Sequence, residues 1–358
     1  MSQSDCYESQ LKPLLNAAGY GSLYKTKTRE GSATGKVDGC AIFYRKSRLR
    51  LVDSLVLELN EAALLEHAEN MAKLDERLNS RPPSLSLSEY ESRRTMHESM
   101  LKRLMRDNVA QFAYFSITHT ANNVPLEKEQ PLLVVNTHLF WDPQFADVKL
   151  WQTMKLLREI ERKIEALSSA SGGSMQIPLL LCGDLNSEPS SAVYKLLAGT
   201  PPNGARGRFE LLQSDLPPDP AGVLASAASR AHLSHGLMLQ SLHSSVTNAE
   251  PVFTNLTRDY VGTLDYVWGS EMVRPLSAVE IPSAEVLTGG TRHKGVRKSF
   301  GSGAFSAESP ASNSGAGGFG IGSSTGGGAP EEPDGSDGLP NGQWPSDHIP
   351  LLFEVEIK

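Results

Sequence analysis

The sequence has 358 residues, of which 39% are hydrophobic and 7% aromatic, and its formal net charge is −7. No run approaches the roughly 18 apolar residues of a membrane helix, so we expect no membrane partner. The acidic balance argues against a protein that coats nucleic acid electrostatically, but it is compatible with an enzyme that grips one strand locally.

The N-terminus and the cysteines predict the compartment. The first five residues, Met1-Ser2-Gln3-Ser4-Asp5, lack the basic start and apolar stretch of a signal peptide. Cys6, Cys40 and Cys182 are too few and too scattered for a disulfide framework or a zinc site, so we expect free thiols. These features predict a cytoplasmic protein, with the nucleus as a second location.

Strands and helices alternate along the first half of the chain, which is the α/β rhythm. Short alternating or continuous apolar runs predict strands at Gly39–Tyr44, Leu49–Leu59, Val109–Thr118, Pro131–Thr137 and Ile177–Cys182. Helix-favouring or amphipathic stretches predict helices at Leu11–Ala18, Glu61–Arg77, Ser92–Arg106 and Val148–Leu167.

The second half contains shorter elements and a change of composition. A helix is predicted to start near Ser190, because Pro189 suits a first turn and Ser187 or Ser190 can cap it. Beyond it we predict a short helix at Leu237–Leu242 and strands at Thr263–Gly269 and Ile349–Ile357, the last closing the sheet. Residues 289–343 are rich in Gly, Ser, Pro and acids, which predicts a disordered low-complexity insertion within a single domain spanning residues 1–358.

Three predicted strand ends carry Asp, Asn or His. Cys182-Gly183-Asp184-Leu185-Asn186 follows an apolar run, Val134-Val135-Asn136-Thr137-His138 ends another, and Ser346-Asp347-His348 precedes the last strand. An acid and an amide two residues apart at the end of a buried strand point the same way and can share one phosphate. Since α/β folds place chemistry in strand-end loops, the set predicts metal-assisted phosphodiester hydrolysis.

These motifs resemble a known family. The segment from Val135 to Pro143, read as VNTHLFWDP, and its continuation DVKL at 147–150 resemble the deadenylases of the carbon catabolite repressor type, related to nocturnin and the Angel proteins, within the exonuclease/endonuclease/phosphatase superfamily. Further segments follow in that family's order: Val37–Tyr44, Arg106–Val109, His235–Ser241, Phe253–Asn255, Leu264–Tyr266 and Pro345–His348.

The resemblance implies a fold and an activity. The fold is a four-layer α/β sandwich of two mixed sheets flanked by helices, with the active site at one edge between the sheets. The activity is Mg²⁺-dependent hydrolysis of phosphodiesters by in-line attack of water, removing poly(A) tails from the 3′ end of mRNA and releasing 5′-AMP. The implied partners are single-stranded RNA, poly(A) in particular, and a deadenylase scaffold complex.

Five residues are catalytic by resemblance. Asp184 would orient and deprotonate the attacking water, and Asn186 would hold a phosphate oxygen. His138 would donate to the phosphate. His348 would bind the phosphate and stabilise the developing charge, with Asp265 fixing its tautomer.

Three more residues match binding positions of the family. Asp347 would contact the metal. Pro143 and Tyr260 stand where the family packs or stacks adenine, although the family usually has Phe in place of Tyr260, an exchange that preserves stacking.

One departure from the family concerns the metal. The family's first strand carries an Asn and its second ends in a Gln-Glu pair whose glutamate is a principal Mg²⁺ ligand. Both precede the segment matching Leu11–Ala18, where this sequence offers only Asp5 and Glu8 on a predicted helix. The resemblance therefore implies an N-terminally truncated domain, and we expect the 358 residues by themselves to be less stable than a complete domain and nearly inactive.

Other interpretations of the same residues stay open at this point. A same-fold enzyme could act on 2′,5′-oligoadenylate or a dinucleotide, and a non-catalytic relative could keep an RNA cleft without a metal. The Asp184–Asn186 turn could be a simple Asx turn, and Asp265 could cap a strand. Arg45, Lys46, Arg48 and Arg50 fit a solvated strand face better than an RNA groove.

Overall fold

The computed structural model describes residues 2–3, 6–27, 38–80, 83–173, 175–199, 209–226, 233–289 and 338–358. The chain divides into two compact units. The larger unit comprises Met1–Thr254, Thr263–Glu280 and Pro350–Lys358, and the smaller comprises Asn255–Gly262 and Ile281–Ile349. None of the helices in the described ranges combines the length and the hydrophobicity that a membrane span requires.

The described strands are, in chain order, β1 (Ser2–Gln3), β2 (Tyr20–Thr26), β3 (Asp38–Arg45), β4 (Leu49–Glu58), β5 (Val109–His119), β6 (Pro125–His138), β7 (Leu179–Asp184), β8 (Phe209–Glu210), β9 (Ser234–His235), β10 (Leu239–Ser241), β11 (Asn255–Leu256), β12 (Val261–Gly262), β13 (Asp265–Ser270), β14 (Val273–Ala278) and β15 (Phe353–Ile357). The described α-helices are α1 (Lys12–Ala17), α2 (Leu59–Asn79), α3 (Leu87–Leu104), α4 (Ala146–Ala170), α5 (Ala192–Ala198), α6 (Val223–Ser226), α7 (Leu242–Thr247) and α8 (Ala284–Leu287).

A six-stranded mixed sheet forms the centre of the larger unit, in the order β10-β13-β7-β6-β5-β4. The β6–β7 pair is parallel and the other neighbours are antiparallel. Parallel strands need a crossover connection, and α4 lies in the connection between β6 and β7. The predicted α/β class is therefore confirmed.

Side-chain alternation separates the two faces of the central sheet. On β5, Ala110 and Phe112 join a core cluster that includes the residues of α4, whereas Ala113 and Phe115 pack with Ile42 of β3. A strand buried on both faces is apolar nearly throughout, as β5 is. One face of the sheet thus carries helices and the other carries the β3 sheet.

The second sheet of the larger unit has the order β1-β3-β2 and is antiparallel. Its outer face is covered by a π-helical turn, Tyr7–Leu11, that leads into α1. Tyr7 of this turn stacks on Tyr24 with ring centroids 4.1 Å apart and bonds Ser22 through its hydroxyl. Helical turn, small sheet, large sheet and helices make four layers.

Helix α4 behaves as its sequence period predicts. Its residues Leu150, Met154, Leu157 and Ile160 are buried against the central sheet. Helix α3 begins at a capping box in which Ser86 and Glu89 bond each other's backbone N–H groups, so it starts five residues earlier than predicted.

Several sequence-based predictions in the second half are wrong in detail. The helix expected near Ser190 is α5, which begins at Ala192 because Ser191 caps it, accepting from Tyr194 N–H. The helix predicted at Leu237–Leu242 is instead the strand β10, and helix α7 begins only at Leu242. The last strand does not extend the central sheet, because β15 pairs with β14 in a separate two-stranded sheet.

The three cysteines are free thiols, as predicted.

The basic residues near β4 have local partners. Arg45 bonds Tyr20, Lys46 bonds Asn16 and Arg50 pairs with Glu129. These local partners favour the interpretation of a surface strand face.

In the smaller unit, the hairpin of β11 and β12 contacts the chain that leads to the C-terminus. Leu339 is buried and donates its N–H to Leu256 O, and Asn341 donates from its side chain to Leu287 O. Residues 338–343 of the predicted insertion thus make defined contacts. Residues 290–337 of the insertion lie outside the described residues, and the extent of the insertion stays a prediction.

We expect Gly183→Ala to lower the stability of the larger unit. A Cβ on Gly183 would lie 2.2 Å from Thr137 O on the parallel neighbour β6, so the two strands must move apart. Overpacking of this kind costs about 1 to 3 kcal/mol, measurable by urea denaturation. Gly342→Ala is the matched control, because its Cβ would meet nothing within 4 Å. Equal midpoints for the two variants would contradict the expectation.

Candidate active site

Three predicted catalytic residues lie on neighbouring strands of the central sheet. His138 of β6 is the register partner of Asp184 of β7, and Asp184 is in turn the partner of Asp265 of β13. All three share the face of Val134 and Leu180, which packs toward the small sheet, because side chains alternate with a period of two. The sheet topology thus brings His138, Asp184 and Asp265 together at one edge.

His138 lies between two carboxylates. Its Nε2 is 3.5 Å from Asp184 Oδ2, and its Nδ1 is 3.7 Å from Asp38 Oδ2. Asp38 begins β3 in the small sheet, so the group lies between the two sheets, as the resemblance implies. Asp38 was not among the site residues predicted from the sequence. Its position two residues before the buried Cys40 on the same strand is the signal that could have identified it.

Lys27 controls the charge of Asp38. Its Nζ lies 2.6 Å from Asp38 Oδ2. Burial by itself would raise the pKa of the Asp38 carboxyl, but the bond from Lys27 and the charges of Lys27 and His138 outweigh it and hold that pKa below its ordinary value. Asp38 therefore faces His138 as a carboxylate at neutral pH.

The Asp184-Leu185-Asn186 segment forms an Asx turn. Asn186 N–H donates to Asp184 Oδ1 at 2.8 Å, and Asn186 adopts a left-handed backbone with φ of 46°. Asn tolerates this region better than most residues. The Asx-turn interpretation of this motif is thus correct, and the same turn leaves Asp184 Oδ2 on the side of His138.

Asn186 also joins this turn to the strand of His138. Its Nδ2 donates to Leu139 O at 2.9 Å, and Leu139 N–H donates to Asp184 O at 3.0 Å. Lys149 of α4 donates from Nζ to Asn186 O at 2.7 Å. The two strand-end loops are therefore fixed relative to each other.

Lys149 is a site residue without an assigned role in the sequence analysis. Burial lowers the pKa of its ammonium to about 8, although Asp142, Asp184 and Glu188 partly offset that effect. A lysine within the apolar stripe of a helix is the signal for such a position, because lysine is seldom buried without a partner.

Two buried amides hold the backbone around His138. Gln152 donates to Asn108 Oδ1 at 3.0 Å, and Asn108 donates to His138 O at 2.8 Å. The Oε1 of Gln152 accepts from Phe140 N–H at 3.0 Å. Both amides are almost fully buried, so this network fixes the chain on both sides of Leu139.

Asp265 is held by a threonine from the Phe253–Asn255 motif. Thr254 donates from Oγ1 to Asp265 Oδ2 at 2.7 Å and accepts from the N–H groups of Leu264 and Asp265. Thr254 is completely buried. One carboxylate oxygen of Asp265 is thus committed to the fold.

Pro143 begins a 3₁₀ turn at Pro143–Phe145 and is exposed. Asp142 caps this turn by accepting from Gln144 N–H at 2.8 Å. The neighbouring Trp141 is 66% exposed. The structure therefore places the predicted adenine contact on the surface, five residues after His138.

The smaller unit contains the other predicted residues. Asp347 accepts from Leu256 N–H through its carbonyl and from Asn255 Nδ2 through Oδ2 at 3.2 Å. His348 forms a β-bridge with Asn255. Tyr260 lies over Gly262: a Cβ atom added at position 262 would lie 2.2 Å from the phenol oxygen of Tyr260. The predicted pairing of Asp265 with His348 joins the two units and stays a prediction.

The carboxylates of the larger unit suit a hard divalent cation. Oxygen atoms of Asp184 and Asp265 lie within 4.8 Å of each other on the same face. Two carboxylates this close repel unless a proton or cation lies between them. Mg²⁺ and Ca²⁺ prefer oxygen ligands, so the donor set fits such an ion.

We expect Lys149→Met to change how stability depends on pH. The unfolded chain binds the Lys149 proton with its ordinary pKa of 10.5 and the folded chain with a pKa of about 8. Between these values the unfolded state holds more protons, so stability of the parent rises with pH, by up to about 1.4 kcal/mol per pH unit. Urea midpoints from pH 7 to 10 should show this rise in the parent and not in the variant.

Lys155→Met controls for loss of a lysine from the same helix, because Lys155 is partly exposed and pairs with Glu66. Its curve should run parallel to that of the parent. A parallel curve for Lys149→Met would mean that Lys149 is solvated in the folded chain.

Comparison with known proteins agrees with this geometry. The sequence profile of the Endonuclease/Exonuclease/phosphatase family matches residues 4–348. The chain is 34% identical over 289 residues to carbon catabolite repressor protein 4 homolog 1 of Arabidopsis thaliana, covering 74% of this chain and 41% of that protein. It is 30% identical over 285 residues to the CCR4-Not complex 3′-5′-exoribonuclease subunit Ccr4 of Yarrowia lipolytica, covering 74% of this chain and 34% of that protein.

The chain thus spans about two fifths or less of the length of these two curated relatives. A solved structure of ANGEL2, a 2′,3′-cyclic phosphatase, in complex with adenosine-2′,3′-vanadate superposes with a TM-score of 0.51 at 21% identity, covering 80% of this chain and 72% of that one. This likeness shows a shared fold. The profile match over nearly the whole sequence and the 34% identical relative show that the chain belongs to the endonuclease/exonuclease/phosphatase family, as a relative of the carbon catabolite repressor 4 proteins.

Proposed function

We propose that the chain is a Mg²⁺-dependent 3′–5′ exoribonuclease that removes poly(A) tails from mRNA and releases 5′-AMP. The observation that carries the proposal is the alignment of His138, Asp184 and Asp265 on one face of three paired strands. The similarity to the Yarrowia exoribonuclease subunit supports the substrate class.

Asp184 has the geometry of a general base. Its Oδ1 is occupied by Asn186 N–H, so Oδ2 is the oxygen on the side of His138 that orients the attacking water and accepts its proton. His138 donates from Nε2 to a non-bridging phosphate oxygen. Donation from Nε2 requires a proton on that nitrogen, and the carboxylates of Asp38 and Asp184, one near each ring nitrogen, favour the imidazolium, in which both nitrogens are donors.

Asn186 and the metal ligands complete the proposed site. The amide of Asn186 holds a phosphate oxygen while its backbone is fixed by Lys149. Asp347 is the proposed Mg²⁺ ligand, Asp265 is proposed to fix the tautomer of His348, and Asp184 keeps the role of general base. When bound, the ion neutralises charge on the phosphate. His348 is proposed to stabilise the charge of the transition state.

The proposed protein partner is a deadenylase scaffold. The Yarrowia relative is named as a subunit of the CCR4-Not complex, and this name supports the proposal. Affinity purification of the tagged chain from its own cells should recover other subunits of such a complex, and their absence would count against it.

In any form of the protein that hydrolyses RNA, we expect Asp184→Ala to reduce turnover by about 10² to 10⁴, because a general base contributes about that much to the rate. His348→Ala should lose about 10² to 10³. The assay is release of AMP from an A-tailed RNA oligonucleotide in millimolar Mg²⁺. Asp53→Ala is the control, because Asp53 is an exposed acid paired with Lys163.

An Asp184→Ala variant within tenfold of the parent would refute the assignment of the base. The same preparation should be tested on 2′,5′-linked oligoadenylate and on RNA ending in a 2′,3′-cyclic phosphate. Faster hydrolysis of either substrate would favour another phosphoesterase of the same fold. Binding of poly(A) without hydrolysis of any substrate would favour a non-catalytic RNA-binding protein.

We expect Tyr260→Ala to weaken the preference for adenine. Base stacking on an aromatic ring is worth about 1 to 3 kcal/mol, or roughly 5- to 150-fold in kcat/KM. The loss should be greater on an A-tailed than on a U-tailed oligonucleotide, and Tyr260→Phe should keep the preference. Equal losses of kcat/KM on both tails would mean that Tyr260 has a structural role, packing over Gly262, and does not stack on adenine.

A further inference from the structure

We propose that Trp141 is a stacking platform for a base of the RNA strand upstream of the nucleotide being cleaved. This inference rests on the proposed function. It concerns the part of the substrate that lies beyond the reacting phosphate. Trp141, at the exposed end of the VNTHLFWDP segment, has no role in the catalytic site proposed above.

The exposure of Trp141 is the first observation. Its side chain is 66% exposed, whereas Trp151 and Trp268 of the same unit are 0% and 1% exposed. Tryptophan is large and is on average highly buried, so a surface tryptophan gives up apolar burial that the fold could use. The protein thus keeps this ring on the surface next to its candidate active site.

The loop that presents Trp141 is rigid, which is the second observation. Phe140 N–H is bound by Gln152, and Asp142 accepts from Gln144 N–H through its side chain and from Phe145 N–H through its carbonyl. The residues on both sides of Trp141 are therefore held by hydrogen bonds. A platform fixed in advance loses less entropy when it binds a ligand.

A guanidinium group lies over the aromatic rings that neighbour Trp141. The centroids of Trp141 and Phe140 are 6.0 Å apart, and the guanidinium carbon of Arg106 is 5.2 Å from the Phe140 centroid and 4.5 Å from that of Phe145. Arg103 also lies over the Phe145 ring, at 4.1 Å from its centroid, but it is paired with Asp147. Among the described residues, Arg106 makes no ion pair; the nearby carboxylates of Asp142, Asp107 and Asp147 partly offset its charge, and the remainder attracts a phosphate backbone.

The short sequence separation between Trp141 and His138 limits how far along the strand the bound base lies from the reacting phosphate. Trp141 follows His138 by three residues, so their Cα atoms are at most about 10 Å apart. With a rise of about 3.4 Å per stacked nucleotide, this span corresponds to about three nucleotides or fewer. Aromatic side chains beside a cationic surface are the usual means of holding single-stranded nucleic acid without reading its sequence. Trp141 should therefore bind any base and contribute to affinity only for substrates longer than about two nucleotides.

The experiment measures binding without turnover, in an Asp184→Ala background. Binding of 5′-fluorescein-labelled A10 is followed by anisotropy, and A2 is measured as an unlabelled competitor. Adding Trp141→Ala should lower the affinity for A10 by about 5- to 150-fold, the equivalent of one stacked base. The factor by which it lowers the affinity for A2 should be at least five times smaller. Trp141→Phe should recover most of the A10 affinity. A U10 probe should lose affinity to a similar degree, because stacking tolerates every base.

Leu212→Ala is the matched control, since Leu212 is also 66% exposed but lies outside this segment. It should leave A10 affinity within twofold of the background. Equal losses on A10 and A2 would place Trp141 in the active site itself and overturn the upstream assignment. An A10 affinity unaffected by Trp141→Ala would overturn the proposal and favour a protein partner for this ring. Because no step requires hydrolysis, this result does not depend on release of AMP by the parent, so the proposed function and this proposal can fail separately.

Discussion

The parallel pairing of β6 with β7 is the constraint on which the rest of the site depends. Side chains alternate along a strand, so a slip of one residue would turn His138 or Asp184 from the small sheet toward the helices. The close approach of Gly183 to Thr137 O leaves no room for a side chain at that step of the ladder. With this register in place, the antiparallel neighbour β13 adds Asp265 to the same edge. The relative positions of the site residues therefore depend first on the register of these strands.

Helix α4 serves both the core and the site. Its middle turns bury an apolar stripe against the central sheet, while its first turns bury the polar residues Lys149 and Gln152. Buried polar groups are costly unless they find partners. Here the partners are backbone atoms of the two strand-end loops and the amide of Asn108. The loss of apolar burial in these turns is offset by hydrogen bonds that hold the loops in place. One helix therefore both packs against the core and holds the site loops in position before substrate binds.

Charge is distributed unevenly around His138. Three carboxylates, those of Asp38, Asp184 and Asp265, lie on or toward the face between the sheets, and Lys27 pairs with the first. Along the VNTHLFWDP segment the surface changes from this acidic group to the aromatic and guanidinium layer of Arg106. An acidic group attracts a cation and a cationic layer attracts phosphate. The first region therefore suits chemistry at a metal-bound phosphate, and the second suits retention of the strand attached to that phosphate.

The sequence by itself determined the α/β class, the core stripe of α4 and the strand-end location of Asp184, because periodicity and strand-end motifs are local properties of the chain. Resemblance added the catalytic roles and Pro143, Tyr260, Asp347 and His348. Tertiary structure alone decided that Asp38 of another sheet faces His138 and that Lys149 bonds Asn186 O, since those contacts join elements far apart in sequence. It also decided the local form of residues 239–241, which pair with β13 as a strand where a helix was predicted, because a neighbouring strand supplies hydrogen bonds that no local pattern reveals.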